Sequence, residues 1–384
     1  MERVTPLNLN LLRRRPDVEA PELVAVDAAD RLLLDLAAEA LRRPGRIVTL
    51  NDSYGALTLG AAAASGREVR AFQDGLVNER ALAANAADLH LAGAYRSCTL
   101  GPELFDGVTT VLMRLPRSLD ELDEQARLIS AHARPDVQVL AAGRLKHMSV
   151  SMNAVLARSF GSVTASLARQ KSRVLVAAEP HPVAVPSGPR TARYHVGLER
   201  PLELHAFAAT FGGASLDPGT RLLLPQLRGI EQRPVGSAGR NADIIDLGCG
   251  NGAIATYLAL GRPDVRIHAT DQSASAVAST RATALANGVA DRVAVDRDDA
   301  LSAVPDASAQ VIVLNPPFHI GSTVHEGIAH RLFDACARVL APGGELWTVW
   351  NSHLRYRPVL ERTIGPTRQL DRTSRFTVTV STRR

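Results

Sequence analysis

Asp243-Ile244-Ile245-Asp246-Leu247-Gly248-Cys249-Gly250-Asn251-Gly252 decides the fold. An apolar run of strand length carries an acid near its end and breaks into a turn with three glycines. The segment 253–260 that follows is apolar over helical length. Strand, glycine-rich turn and helix in that order open a βαβ unit. The glycines let the backbone approach a ligand with no Cβ in the way. Their spacing differs from the dinucleotide fingerprint Gly-x-Gly-x-x-Gly, because the third glycine comes one place early. Asp246 adds a second distinction: its carboxylate repels a pyrophosphate and welcomes a ligand with a cationic amino-acid end.

Further along, a strand over 265–270 closes with Asp271, an acid placed to accept both hydroxyls of a ribose. Ser273 opens a helix that runs to Asn287-Gly288. A strand over 293–295 is followed by Asp296, Asp298 and Asp299. Asp299 reads as the acceptor for an adenine amino group, with Asp298 as the competing choice. The fourth strand, Val311-Ile312-Val313-Leu314, runs into Asn315-Pro316-Pro317-Phe318. Two prolines end it, because neither donates to a sheet ladder. The loop therefore begins at the carboxyl edge, where open α/β sheets bind ligands. Asn315 offers a side-chain carbonyl and Pro316 a backbone carbonyl on a stiffened chain. Together they can take both N–H bonds of an exocyclic amine, and Phe318 can stack an aromatic base. A helix over 323–340, a strand over 345–350, a helix over 353–364 and a final strand over 375–380, paired near Gln369, complete this half.

An amino-acid end, a ribose and an adenine together describe S-adenosylmethionine. The expected pocket residues are Asp246, Gly248, Cys249, Gly250, Gly252, Asp271, Gln272, Asp299, Ala300 and Asn315. Asn315, Pro316, Pro317 and Phe318 form the expected catalytic corner. Cys249 reads as a small packed residue. His319 reads as a structural loop histidine, with proton acceptance as the rival, and His325 and Glu326 as a helix start without chemistry.

The first half repeats the pattern in outline. A helix over 22–41 precedes a strand over 46–52, a turn with Gly55 and an Ala-rich helix. Strands over 69–74 and 108–113 follow. This turn has one glycine where the later one has three. The counterpart of the proline loop is Arg114-Leu115-Pro116-Arg117, which lacks the amide and the aromatic. The half reads as a degenerate copy of the same α/β fold, with an unrelated α/β domain as the alternative. Domains are expected at 1–182 and 183–384, joined by the Pro-rich 181–201. Phe211-Gly212-Gly213 and Leu216-Asp217-Pro218-Gly219-Thr220-Arg221 read either as a cover for the ligand or as structural lead-in.

Residues 138–178 contain no acid. Arg144, Lys146, Arg169, Lys171 and Arg173 within them are candidate contacts for an RNA backbone. The chain of 384 residues is 46% hydrophobic and 22% charged, which is globular and excludes a disordered chain. Its net charge of +5 permits a polyanionic partner. Only Lys146 and Lys171 among 44 basic residues are lysine, an arginine bias that points to genome composition. No apolar run reaches membrane-spanning length and no signal peptide is evident, so no membrane partner is expected. Three scattered cysteines fit a reducing cytoplasm and no disulfide framework. No Cys/His spacing suggests a metal.

The second half resembles the ribosomal RNA guanine-N2 methyltransferases. The likeness rests on 246–252, on Asp271-Gln272-Ser273 with Ala276-Val277-Ala278-Ser279, and on Asn315-Pro316-Pro317-Phe318-His319. The first half is similar to their degenerate N-terminal domain, with basic segments at 114–117 and 169–173. Asn351-Ser352-His353-Leu354 is more similar to the large-subunit branch than to the small-subunit branch. The resemblance implies two tandem class I (Rossmann-like) methyltransferase domains with seven-stranded, mostly parallel sheets. It implies an enzyme that uses S-adenosylmethionine to methylate guanine N2 in ribosomal RNA, of the 23S more than the 16S kind; a monomer is expected, though the sequence does not fix the oligomeric state. The rival readings are an N-methyltransferase of DNA adenine or protein glutamine, a nicotinamide oxidoreductase and a silent RNA-binding protein. Asp246 and the glycine spacing disfavour the oxidoreductase.

Overall fold

The computed structural model describes residues 7–181, 183–185, 188–230, 244–317 and 326–384. The chain divides into two compact units, Met1–Ser187 and Gly188–Arg384. In the first, the strands are β1 (Arg46–Leu50), β2 (Val69–Phe72), β3 (Tyr95–Ser97), β4 (Val108–Arg114), β5 (Gln138–Arg144), β6 (Phe160–Ala165) and β7 (Ser172–Pro180). In the second they are β8 (Arg190–Tyr194), β9 (Leu202–Ala206), β10 (Ile244–Leu247), β11 (Ile267–Asp271), β12 (Val293–Arg297), β13 (Ala309–Leu314), β14 (Leu340–Asn351), β15 (Thr367–Arg372) and β16 (Phe376–Thr382).

The two seven-stranded sheets share one strand order. The first is β3-β2-β1-β4-β5-β7-β6 and the second β12-β11-β10-β13-β14-β16-β15. In the second, β10 to β14 pair in parallel, while β16 runs antiparallel to both β14 and β15. The first sheet has the same pattern, with β7 as its antiparallel strand. Central strands read as continuous apolar runs because helices cover both faces. Ile312 and Leu314 pack under Phe333 and Cys336 on one face, while Val311 and Val313 pack with Ile254 and Tyr257 on the other.

Several expectations change in detail. The helix expected over 22–41 begins only at Ala28 and ends at Ala37, followed by a tight turn over Ala40–Arg42. Asp27 stops it from starting earlier: its carboxylate accepts from the Ala29 and Asp30 amides, and Asp30 caps back onto the Asp27 amide. The proline-rich 181–201 is more than a connection, since it contains β8, which pairs with β9. Leu202, Leu204 and Ala206 are buried by period-two alternation. The open edge of β9 is satisfied by a helix: the amides of Glu203 and His205 donate to Asn287 Oδ1 and Thr283 Oγ1. The helical segment near 222–227 is Pro218–Leu223 plus a tight turn over Gln226–Gly229. The helix expected over 353–364 is Arg357–Thr363, because Arg355 adopts a left-handed conformation that ends the turn before it. In the first unit β3, β5, β6 and β7 complete a sheet of which sequence patterning had marked three strands.

Candidate active site

Register brings the sequence motifs of the second unit to one edge. Leu247 lies level with Thr270 of β11 and with Leu314 of β13. The next residues, Gly248, Asp271 and Asn315, therefore emerge side by side where the chain order reverses about β10.

Asp246 is completely buried. Its Oδ2 accepts from the Ala255 amide at 2.9 Å, in the first turn of the helix Ala253–Gly261. Its Oδ1 is buried with no hydrogen-bond partner among the described residues. Burial pushes this carboxyl up to about 7, with the Ala255 amide opposing and the Asp271 charge assisting. Gly248, Gly250 and Gly252 all have positive φ. A Cβ on Gly248 or Gly250 would meet nothing within 4 Å, whereas one on Gly252 would come 2.9 Å from the Thr280 backbone. The first two glycines thus line open space, and the third permits close helix packing. Cys249 is buried, and its sulfur accepts from Thr280 Oγ1 at 3.2 Å. Burial, then the charges of Asp271 and Asp246, raise its thiol pKa. It is a packed residue of the turn.

Asp271 is half-buried and braces the same turn. Its Oδ2 accepts from the Gly250 amide at 3.1 Å and its Oδ1 from the Ser273 amide at 2.9 Å. Gln272 is exposed, and its carbonyl accepts from Arg297. Asp298 and Asp299 differ in employment. Asp298 accepts from the Asp299 amide, the Ser302 hydroxyl and the Ala303 amide, so its carboxylate shapes its own turn. Asp299 is buried and takes a hydrogen bond from Arg331. Ala300 follows it with φ of 51°.

Asn315 Nδ2 donates to Asp217 Oδ2 and to Thr220 Oγ1, both at 3.0 Å. Its Oδ1 is buried and has no hydrogen-bond partner among the described residues. Pro316 is buried and Pro317 exposed. Phe318 and His319 lie outside the described residues, as does His325. The segment 210–217 is the wall that joins these groups. Thr210 Oγ1 lies 2.7 Å from Ser279 Oγ, and Asn251 Nδ2 donates to the carbonyls of Gly213 and Ser215 at 2.9 Å. Asp217, Thr220, Asn251 and Arg331 were not among the expected site residues. Asp217-Pro218 carries a helix-start signature, but nothing local in it points to Asn315.

The corresponding edge of the first unit is filled by its own side chains. Asn51, Gln73 and Arg114 follow the level residues Leu50, Phe72 and Met113. Asn51 has φ of 60°, close to the 75° of Gly248. Its side chain exchanges two hydrogen bonds with Gln125 at 3.1 Å. Gln73 donates to the Asp52 carbonyl. Asp52 accepts from the amide and the hydroxyl of Thr58 at 2.7 Å. Arg114 donates to Asp27 at 2.7 Å and Asp30 at 2.8 Å.

The acid-free stretch 138–178 is less one-signed in space than in sequence. Arg144 lies 3.8 Å from Asp27, and Arg169 lies 3.0 Å from Asp35. Both acids come from the N-terminal region, more than a hundred residues away. Lys146 and Lys171 are exposed, and Arg173 is half-buried. Burial, then the charges of Arg117, Lys146 and Arg144, lower the His147 pKa, which marks a positive local field. Among the described residues no helix is long and apolar enough to cross a membrane.

Two family models cover almost all of the chain. Residues 201–380 match the methyltransferase small domain, and residues 3–182 match the RLMG N-terminal domain. The ribosomal RNA large subunit methyltransferase G of Streptomyces coelicolor is 34% identical over 375 residues, covering 94% of each chain. The protein of the same name from Pseudomonas entomophila is 36% identical over 374 residues, covering 96% of each. Among solved structures, the T. thermophilus 16S rRNA N2 methyltransferase RsmC, in complex with AdoMet and guanosine, aligns over 92% of each chain. Its TM-score is 0.74 and its identity 21%.

Proposed function

The chain belongs to the ribosomal RNA large subunit methyltransferase G family, and from that premise we propose that it methylates the exocyclic N2 of a guanine in 23S rRNA. One observation carries the site assignment. Two buried oxygens without hydrogen-bond partners among the described residues, Asp246 Oδ1 and Asn315 Oδ1, stand at adjacent strand ends beside glycines whose Cβ positions face open space.

When bound, S-adenosylmethionine supplies an electrophilic methyl group on a sulfonium. Asp246 receives its cationic amino-acid end, with Gly248, Cys249, Gly250 and Gly252 as the backbone cradle. Asp271, with Gln272, holds the ribose, and Asp299 and Ala300 border the adenine. An unpaired buried oxygen costs about 1–3 kcal/mol, which a donor ligand returns. Asn315 Oδ1 and the Pro316 carbonyl accept the two N–H groups of the target amine. They hold its lone pair in line and favour the positive charge that develops on nitrogen. Pro317 fixes the corner, and Phe318 stacks the base once it leaves its helix. The neutral amine needs no base before attack, and its proton leaves to water afterwards.

The domain 1–182 serves RNA recognition and 183–384 serves catalysis in this reading. Arg144, Lys146, Arg169, Lys171 and Arg173 contribute to the RNA contact, with Lys146 and Lys171 the more available cations. Radiolabelled transfer to 23S rRNA, 16S rRNA, DNA and protein, followed by mass mapping of the modified nucleotide, tests the assignment. Label on guanine N2 of 23S rRNA, lost in Asn315→Ala while the cofactor still binds, is the expected result. Transfer to another acceptor, or an Asn315→Ala variant of near-normal rate, overturns it.

A further inference from the structure

The orientation of the Asn315 amide is decided 98 residues upstream. An amide has a donor end and an acceptor end of nearly equal size, so only its partners determine which end points where. Asp217 is an acceptor-only partner when ionised. Its Oδ2 lies 3.0 Å from Asn315 Nδ2, with Thr220 Oγ1 at the same distance from that nitrogen. The nitrogen end is therefore turned toward the helix Pro218–Leu223, and the oxygen end is left buried and unpaired among the described residues.

The holder is itself well fixed. Asp217 Oδ2 also accepts from the Thr220 amide at 2.8 Å, capping the helix that carries Thr220. Pro218 sets the first helical φ. Gly219 allows close seating, since a Cβ there would stand 3.3 Å from the Phe376 ring and 3.0 Å from Asp217 Oδ2. Phe376 belongs to β16, which pairs with β14, the neighbour of β13. The clamp and the residue it holds are thus referenced to one sheet.

We propose that Asp217 and Thr220 are positioning residues that lock the Asn315 amide with its oxygen presented, so that the site selects a donor amine. The proposal rests on the amine-holding role of Asn315 given above. A flipped amide would present N–H groups to the target, which repel an amine and favour a carbonyl. Neither partner touches the substrate.

Asp217→Asn tests this directly, because asparagine retains the helix cap but removes the acceptor-only constraint. Expected are a fall in kcat of about 10- to 100-fold, of the order seen when an outer partner that orients a functional group is lost, with cofactor Kd and Tm unchanged. Thr220→Val should lose several-fold. Asn315→Asp places two carboxylates together and should be strongly impaired. Adding Asp217→Asn to it should raise the rate at least tenfold, since the amide introduced at position 217 donates to the carboxylate introduced at position 315. A purely structural Asp217 predicts no such reciprocal rescue, and its absence overturns the proposal, as does a wild-type kcat in Asp217→Asn. A readout independent of turnover is the Asn315 side-chain NH2 pair in nitrogen–proton correlation spectra. Slow solvent exchange in the wild type, made fast by Asp217→Asn with Thr220→Val, is the expected result. Protection in a wild type that transfers nothing to rRNA would sink the functional reading and leave the clamp standing. Fast exchange in the wild type would sink the clamp alone.

Discussion

At the carboxyl edge of the first sheet, Asn51, Gln73 and Arg114 stand where the second sheet has Gly248, Asp271 and Asn315. The backbone is nearly the same: the first turn residue is left-handed in both, and each following helix begins after a left-handed glycine, Gly55 or Gly252. The side chains differ in how far they bond to one another. The first edge ties most of its side-chain groups together through Asn51–Gln125, Gln73–Asp52, Asp52–Thr58 and Arg114–Asp27, with Gln73 Oε1 outside these bonds. The second keeps Asp246 Oδ1 and Asn315 Oδ1 buried without partners among the described residues, beside two bare glycines. A fold of this kind survives on its apolar strands and covering helices, whereas a ligand site depends on groups left unsatisfied. The first sheet edge has used most of that capacity internally, and the second retains more of it.

The sharpest way to break the comparison is to transplant the first unit's solution into the second. An asparagine in place of Gly248 tolerates the left-handed backbone and puts a side chain where Gly248 leaves open space. Gly248→Asn is expected to weaken S-adenosylmethionine binding by about 100-fold or more, given that a close backbone approach is lost. Its Tm should stay near that of the wild type. Calorimetric titration and thermal melting together check this. Retained affinity would show that the open space beside Gly248 is not the ligand's.

A second, smaller effect concerns pH. Burial holds the Asp246 carboxyl near 7 in the free protein, so the carboxylate form is complete only above that pH. A cationic ligand end binds the carboxylate and must expel the proton below it. Affinity should fall about tenfold per pH unit between about 7 and 5, the slope for one linked proton, and that slope should vanish in Asp246→Asn. A flat profile in the wild type would remove Asp246 from the ammonium site. In the first unit Thr49 occupies the place of Asp246 and its hydroxyl lies 2.8 Å from that of Thr58, while the buried carboxyl there, Asp52, accepts from the amide and hydroxyl of Thr58.

The smallest effects belong to the first unit's cations. Lys146→Ala and Lys171→Ala should each weaken rRNA binding several-fold and flatten its salt dependence by about one counterion. Cofactor affinity should not move. Filter binding across a salt series reads this, and an unchanged slope would argue against those lysines as phosphate contacts.

How far the sequence could be read follows from the range of each interaction. The glycine turn, the acids at strand ends and the proline corner are local patterns, and they emerge at one edge by strand register. The strands β8 and β9 were hidden because prolines dominate 181–201, while the alternation of Leu202, Leu204 and Ala206 is short. The acid-free stretch looked uniformly basic because Asp27 and Asp35, which face Arg144 and Arg169, come from another part of the chain. Asp217 lies far from Asn315 in sequence, and its cap signature explains its helix but not its second task. Asp298 and Asp299 were inseparable by pattern; in the structure both carboxylates are engaged, Asp298 by its own turn and Asp299 by Arg331.

The central claim is that one sheet edge of the two binds the methyl donor. Titrating the full chain with S-adenosylmethionine tests it most directly. The account predicts a single site per chain, lost when Asp246 and Asp271 are both replaced by Asn and untouched when Gln73 is replaced by Ala. Two sites per chain, or a full-strength site surviving the double replacement, would contradict it.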